Sequence, residues 1–131
     1  MPVVHCFGRN SSSPEVHVVG IDNVEAGRMA AREFVKRGHK RVAFMGGPQS
    51  ATSTQDRFSG FSSEMAGQTK IAYSYSFAEQ YSFEAGRKEM QRLLESDPAE
   101  AYFCGDDVLS IGALSAIDET GLRVPEDIGI L

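Results

Sequence analysis

The side chains best equipped for chemistry in this 131-residue sequence gather in four short stretches: Asp22-Asn23, residues 46–57, residues 77–82 and Gly105-Asp106-Asp107. The second is dense in hydrogen-bonding groups, running through Gln49, Ser50, Thr52, Ser53, Thr54 and Gln55 to Asp56 and Arg57. The spacing puts Arg57 at the start of a helix over about 56–66. A helix N-terminus favours negative charge, so an arginine there calls for a partner, either a carboxylate or a ligand oxygen. Phe77 and Tyr81 in the third stretch are flat enough to stack on a sugar ring or a base. In the fourth, one of Asp106 and Asp107 is expected to cap the next helix and the other to face a ligand.

A bidentate cation, a carboxylate, hydroxyls and an aromatic plate can grip a small polar molecule such as a sugar or a purine. They do not form a reaction centre. The phosphate loop G-x-x-x-x-G-K-[ST] is absent, since no lysine follows Gly46-Gly47, and neither G-x-G-x-x-G nor G-x-S-x-G occurs. His5 and His17 fall in strand-like segments and His39 follows a helix stop, poor placements for acid-base work. The expectation is a binding module without catalytic residues, metal or cofactor.

These stretches need elements to hold them. EVHVVGI at 15–21 reads as a strand and Asp22 or Asn23 as the cap of a helix over 24–37, whose inner face is Gly27, Ala30, Ala31, Phe34 and Val35. RVAFM at 41–45 is a second strand, followed by a polar loop through 56 and the helix ending at Gly67. KIAYSYS at 70–76 and the helix 83–95 form a third round, with Phe83, Gly86, Met90, Leu93 and Leu94 inward. AYFC at 101–104 and the helix 108–120, aligned on Val108, Ile111, Leu114 and Ile117, form a fourth, and DIGIL begins a last strand. Alternating strands and helices imply right-handed crossovers and a mainly parallel sheet in a three-layer α/β/α sandwich. In such a sheet ligands bind beyond the carboxyl ends of the strands, where all four polar stretches lie.

Bulk properties narrow the function classes. A net charge of −5 argues against a phosphate-binding surface on this segment, because nucleic-acid modules carry a basic excess. No apolar run is long enough to span a membrane. Cys6 and Cys104 stand far apart without ligand-spaced histidines and read as two buried free thiols of a reducing, cytoplasmic protein.

From Pro2 to Leu131 the sequence resembles the LacI/GalR family of transcription regulators. PVVHCFGR resembles the strand leading to the lobe junction, and VVGIDNVEAGRMAAREFVKRGHKRVAFMGGP the Asp-Asn, helix, Gly-His, strand, Gly-Gly signature. RFSGF, SFEAGRKEMQRLL and FCGDDVLSIGALSAIDETGLRVPEDIGIL follow in the family's order. The resemblance implies the periplasmic-binding-protein-like fold, with residues 1–21 ending the N-terminal lobe and crossing over, and 22–131 forming an incomplete C-terminal effector-binding lobe. It makes Arg57 and Asp107 the ligand-binding arginine and aspartate, Ser53 a polar contact, Tyr81 the stacking aromatic and Phe7 a contact from the lobe junction. Ala51 stands where purine-sensing members carry a second arginine, which favours a sugar effector over a purine. Operator DNA would be bound only through an N-terminal headpiece absent from this segment, and the parent protein would be a homodimer.

Two other readings compete. A periplasmic sugar-binding protein of a transporter shares the fold, although the Gly-Leu-Arg-Val-Pro-Glu-Asp phrase favours the regulator. Asp106 and Asp107 at a strand end would also suit a receiver-like domain that chelates magnesium for phosphoryl chemistry.

Overall fold

The computed structural model describes residues 1–6 and 16–131. Strands β1 (Val3–Cys6) and β2 (Val16–Val19) pair in parallel as a small sheet of their own. Four rounds of helix and strand follow: α1 (Asn23–Lys36), β3 (Arg41–Gly46), α2 (Thr52–Ala66), β4 (Ala72–Phe77), α3 (Phe83–Ser96), β5 (Ala101–Cys104), α4 (Asp107–Glu119) and β6 (Gly129–Ile130). The second sheet has the order β4-β3-β5-β6 and every pairing in it is parallel. The α/β/α class expected from the alternation is therefore the observed one.

Alternation within the strands divides the core. On one side of the sheet Val42, Phe44, Ala101 and Phe103 pack against Ala30, Ala31 and Phe34 of α1 and Phe61 and Met65 of α2. Phe44 is the hub of that layer, with ring centroids of Phe58, Phe61, Phe77 and Phe103 between 5.3 and 6.1 Å away. The opposite faces of the same strands, through Ala43, Met45, Tyr102 and Cys104, meet Met90 of α3 and Leu109, Ala113, Ala116 and Ile117 of α4. Parallel strands covered on both faces must be apolar throughout, and Val42–Met45 and Ala101–Cys104 are buried without interruption.

Glycine allows the helices of each layer to touch backbone to backbone. A Cβ on Gly60 of α2 would stand 1.9 Å from the Val24 carbonyl oxygen of α1, and one on Gly27 2.0 Å from that of Arg57. Gly112 of α4 meets the Phe83 carbonyl of α3 in the same way, at 2.2 Å. No side-chain rotation relieves such contacts, so the pairings need residues without a Cβ.

Three sequence expectations are corrected. Helix α2 begins at Thr52 and not near 56, because Ala51 holds the N-cap position with no side-chain hydrogen bond and gives no start signal. Helix α4 buries Leu109, Gly112, Ala113, Ala116 and Ile117, leaving Val108, Ile111 and Leu114 at 38%, 57% and 40% exposure. Gly112 approaches α3 closely, whereas Val108, Ile111 and Leu114 face outward; Phe83 of α3 is also 44% exposed. Cys6 is exposed, so only Cys104 is a buried thiol.

Candidate effector site

The carboxyl ends of β3, β4 and β5 and the start of α1 converge on one crevice of about 670 Å³, lined by Ile21, Asn23, Ser53, Arg57, Tyr81, Asp106 and Asp107. Apart from Arg57, each lining residue is delivered by a helix start or the turn before it. Asp22 caps α1 by accepting from Glu25 N at 3.0 Å, which frees Asn23, the other possible cap, to face the crevice. Asp106 caps α4 by accepting from Leu109 N at 2.8 Å, and Ser82 caps α3 by accepting from Ala85 N at 3.1 Å.

Arg57 lies in the second turn of α2, beyond the reach of the dipole argument made for a helix start. Its partners are neutral. Nε donates to Asn23 Oδ1 at 2.9 Å and Nη1 donates to the Gly105 carbonyl. The guanidinium thus ties α1 and α2 to the β5–α4 turn, and it is half-buried at the crevice wall. Anchoring by two donors costs the side chain its rotamer freedom in advance of any ligand, which lowers the entropy lost on binding.

Tyr81 also lines the crevice. Its phenol shares hydrogen bonds with Thr54 Oγ1 and, at 3.4 Å, with Ser53 Oγ. Asp107 is exposed, and its Oδ1 accepts from Val108 N at 3.0 Å. Of the two, Asp106 caps the helix as one of them was expected to, and both Asp106 and Asp107 line the crevice. Phe77 instead packs with Phe44 and Phe58 in the core layer, with centroids 6.1 and 5.5 Å away.

Of the residues singled out from sequence, Ser53, Arg57, Tyr81 and Asp107 share this crevice, while Phe7 lies outside the described residues. Sequence reasoning did not separate Asn23 from Asp22, and it gave Thr54 no individual role. The only signal for Asn23 was that one helix start needs one cap, leaving the second side chain spare. Among the described residues no cluster of three or more His, Cys, Asp or Glu could hold a metal ion, and no helix is long and apolar enough to cross a membrane.

The sequence profile of the periplasmic binding protein domain matches residues 1–130. Over 114 residues the chain is 37% identical to the HTH-type transcriptional repressor PurR of Escherichia coli O1:K1 / APEC, covering 85% of this chain and 33% of that protein. An uncharacterized protein from Actinobacillus succinogenes superposes with a TM-score of 0.88 at 31% identity, over 99% of this chain and 49% of that one. A LacI transcriptional regulator from a Rhodococcus species gives 0.87 at 26% identity, over 98% and 48%. The chain belongs to the periplasmic binding protein domain family, in its LacI/GalR-type effector-binding form. It spans about a third of the length of the repressors it matches and about half of the solved chains.

Proposed function

We propose that the chain is the effector-sensing part of a LacI/GalR-type transcriptional repressor of the cytoplasm, with no catalytic activity, and that a small polar ligand binds against Ser53, Arg57, Tyr81 and Asp107. The observation that carries this reading is the convergence of all four on one crevice beyond the carboxyl ends of parallel strands. A sugar suits it better than a purine: among the described residues Arg57 is the single cation lining the crevice, and Ala51 offers no second cation at the start of α2. A second lobe would close the site from the far side. Ligand would then bias the arrangement of two lobes and, through it, the operator affinity of a separate basic headpiece. A segment of net charge −5 is not itself suited to DNA.

The exposed stripe Val108, Ile111 and Leu114 on α4, beside Phe83 of α3, favours a homodimer formed across this face. Large apolar side chains grouped on a surface mark association sites, and a two-fold axis lets one helix face meet its own copy.

A thermal-shift titration of the full-length parent protein with D-glucose, D-ribose and guanine tests the ligand reading, since a ligand of the folded state raises the melting temperature by mass action. A sugar is expected to give the larger shift. Arg57→Ala and Asp107→Ala are each expected to weaken its binding by roughly 1.5–3 kcal/mol, the worth of a charged hydrogen bond. Undiminished affinity in both variants would remove the site assignment.

A further inference from the structure

We propose that Thr54 is a positioning residue of the crevice: its buried hydroxyl takes up the phenol of Tyr81, so that the ring stands as a fixed wall and meets a ligand with its carbons and not its hydroxyl. The inference rests on the crevice being the effector site.

Three observations fix the ring. Thr54 is fully buried in the first turn of α2, and the Tyr81 phenol is its hydroxyl's hydrogen-bond partner. A buried hydroxyl left without a partner loses its hydration for nothing, so the pair is held together by the cost of separating it. Ser53 Oγ approaches the same phenol at 3.4 Å. Gly47, just after β3, makes the room: a Cβ there would fall 2.3 Å from Cζ and 2.4 Å from Cε1 of Tyr81. The phenol end of the ring therefore rests directly against the Gly47 backbone, in space that any side chain would take. A ring seated in this way cannot swing its hydroxyl into the crevice without breaking the contact with Thr54.

The ligand chemistry follows. The wall formed by Tyr81 recognises an apolar face, such as the C–H face of a pyranose or a flat heterocycle, while polar recognition falls to Arg57, Ser53 and Asp107. Substitution by Phe would keep the recognition surface but orphan Thr54.

A double-mutant cycle of Thr54→Val and Tyr81→Phe, read by urea denaturation of the unliganded protein, tests the pairing. The expected coupling is about fivefold in the unfolding equilibrium constant, with Thr54→Ser restoring wild-type behaviour. With tyrosine labelled by 13C at Cζ, the Tyr81 resonance, identified by its loss in Tyr81→Phe, should shift in Thr54→Val and return in Thr54→Ser. Additive effects, or a Tyr81 resonance unmoved by Thr54→Val, would overturn the proposal. If Thr54→Val does not fold, the unmodified protein decides: a nuclear Overhauser contact between the Thr54 methyl and the Tyr81 ring protons supports the pairing, and its absence overturns it. Because no effector is added, failure here leaves the effector reading standing.

Discussion

Replacing Gly60 by alanine probes the feature on which the crevice depends, the backbone contact between α1 and α2. The new Cβ would lie 1.9 Å from the Val24 carbonyl oxygen and 3.0 Å from Arg28 N, both backbone atoms of a helix. The two helices would have to part by about 1.5 Å to reach ordinary van der Waals contact, loosening Phe34 against Phe61, whose ring centroids are 6.2 Å apart. Overpacking of this kind costs up to about 3 kcal/mol, and the better helix propensity of alanine returns about 1 kcal/mol. A net loss of about 2 kcal/mol should lower the melting temperature by roughly 8 °C at this chain length. The control is Gly67→Ala at the C-cap of α2, where φ is −78° and the Cβ would meet only the Glu64 carbonyl, at 3.5 Å. That change should alter stability by less than about 1 kcal/mol. Differential scanning calorimetry of the three proteins is sufficient. A Gly60→Ala protein melting at or above wild type would refute the reasoning, as would equal losses at both positions. Since Asn23 of α1 and Arg57 of α2 bridge the same contact at 2.9 Å, Gly60→Ala should also weaken effector binding in the parent protein.

Other outcomes follow from individual groups. Ile111→Asp places a charge in the exposed stripe of α4 and should shift the parent protein from dimer to monomer in sedimentation equilibrium without lowering helix content; an unchanged dimer would remove this face as the interface. Burial pushes the Cys104 thiol up to about 12, so a native titration with a disulfide reagent at pH 8 should find Cys6 alone, and Cys104 should react only after unfolding. The Glu100 carboxyl is held below its ordinary value chiefly by the hydrogen bond it accepts from Lys40 N, at 2.9 Å. Its contribution is therefore present above the unfolded value of about 4.5 and is lost as pH falls through the lower folded value. Denaturation curves of wild type and Glu100→Gln should accordingly differ at pH 7 and converge in acid; a gap that widens in acid would contradict this.

Much of this molecule was open to reading from its order of residues. Periodicity with glycine stops, and Asp97-Pro98 after the third helix, located the four helices of the described residues, and the unbroken apolar runs at 42–45 and 101–104 marked the central strands, because burial on both faces leaves no polar alternation. Strand-end logic chose the loops that hold Ser53, Arg57, Tyr81 and Asp107. Other features depended on distant partners. The apolar spacing of Val108, Ile111, Leu114 and Ile117 suggested an inner face, yet the close approach between α3 and α4 at Gly112 buries Leu109, Ala113, Ala116 and Ile117 and turns Val108, Ile111 and Leu114 outward. The start of α2 at Thr52 was hidden because Ala51 has no side-chain cap, while tertiary contacts of Thr54 and Arg57 hold its first two turns in place. Sequence by itself determined the layers and the loops that meet at the sheet edge, since both follow from local pattern and chain connectivity. Only the tertiary structure decided which groups are already engaged there, Asn23 with Arg57 and Thr54 with Tyr81, because a hydrogen bond between residues tens of positions apart leaves no periodic trace in the chain.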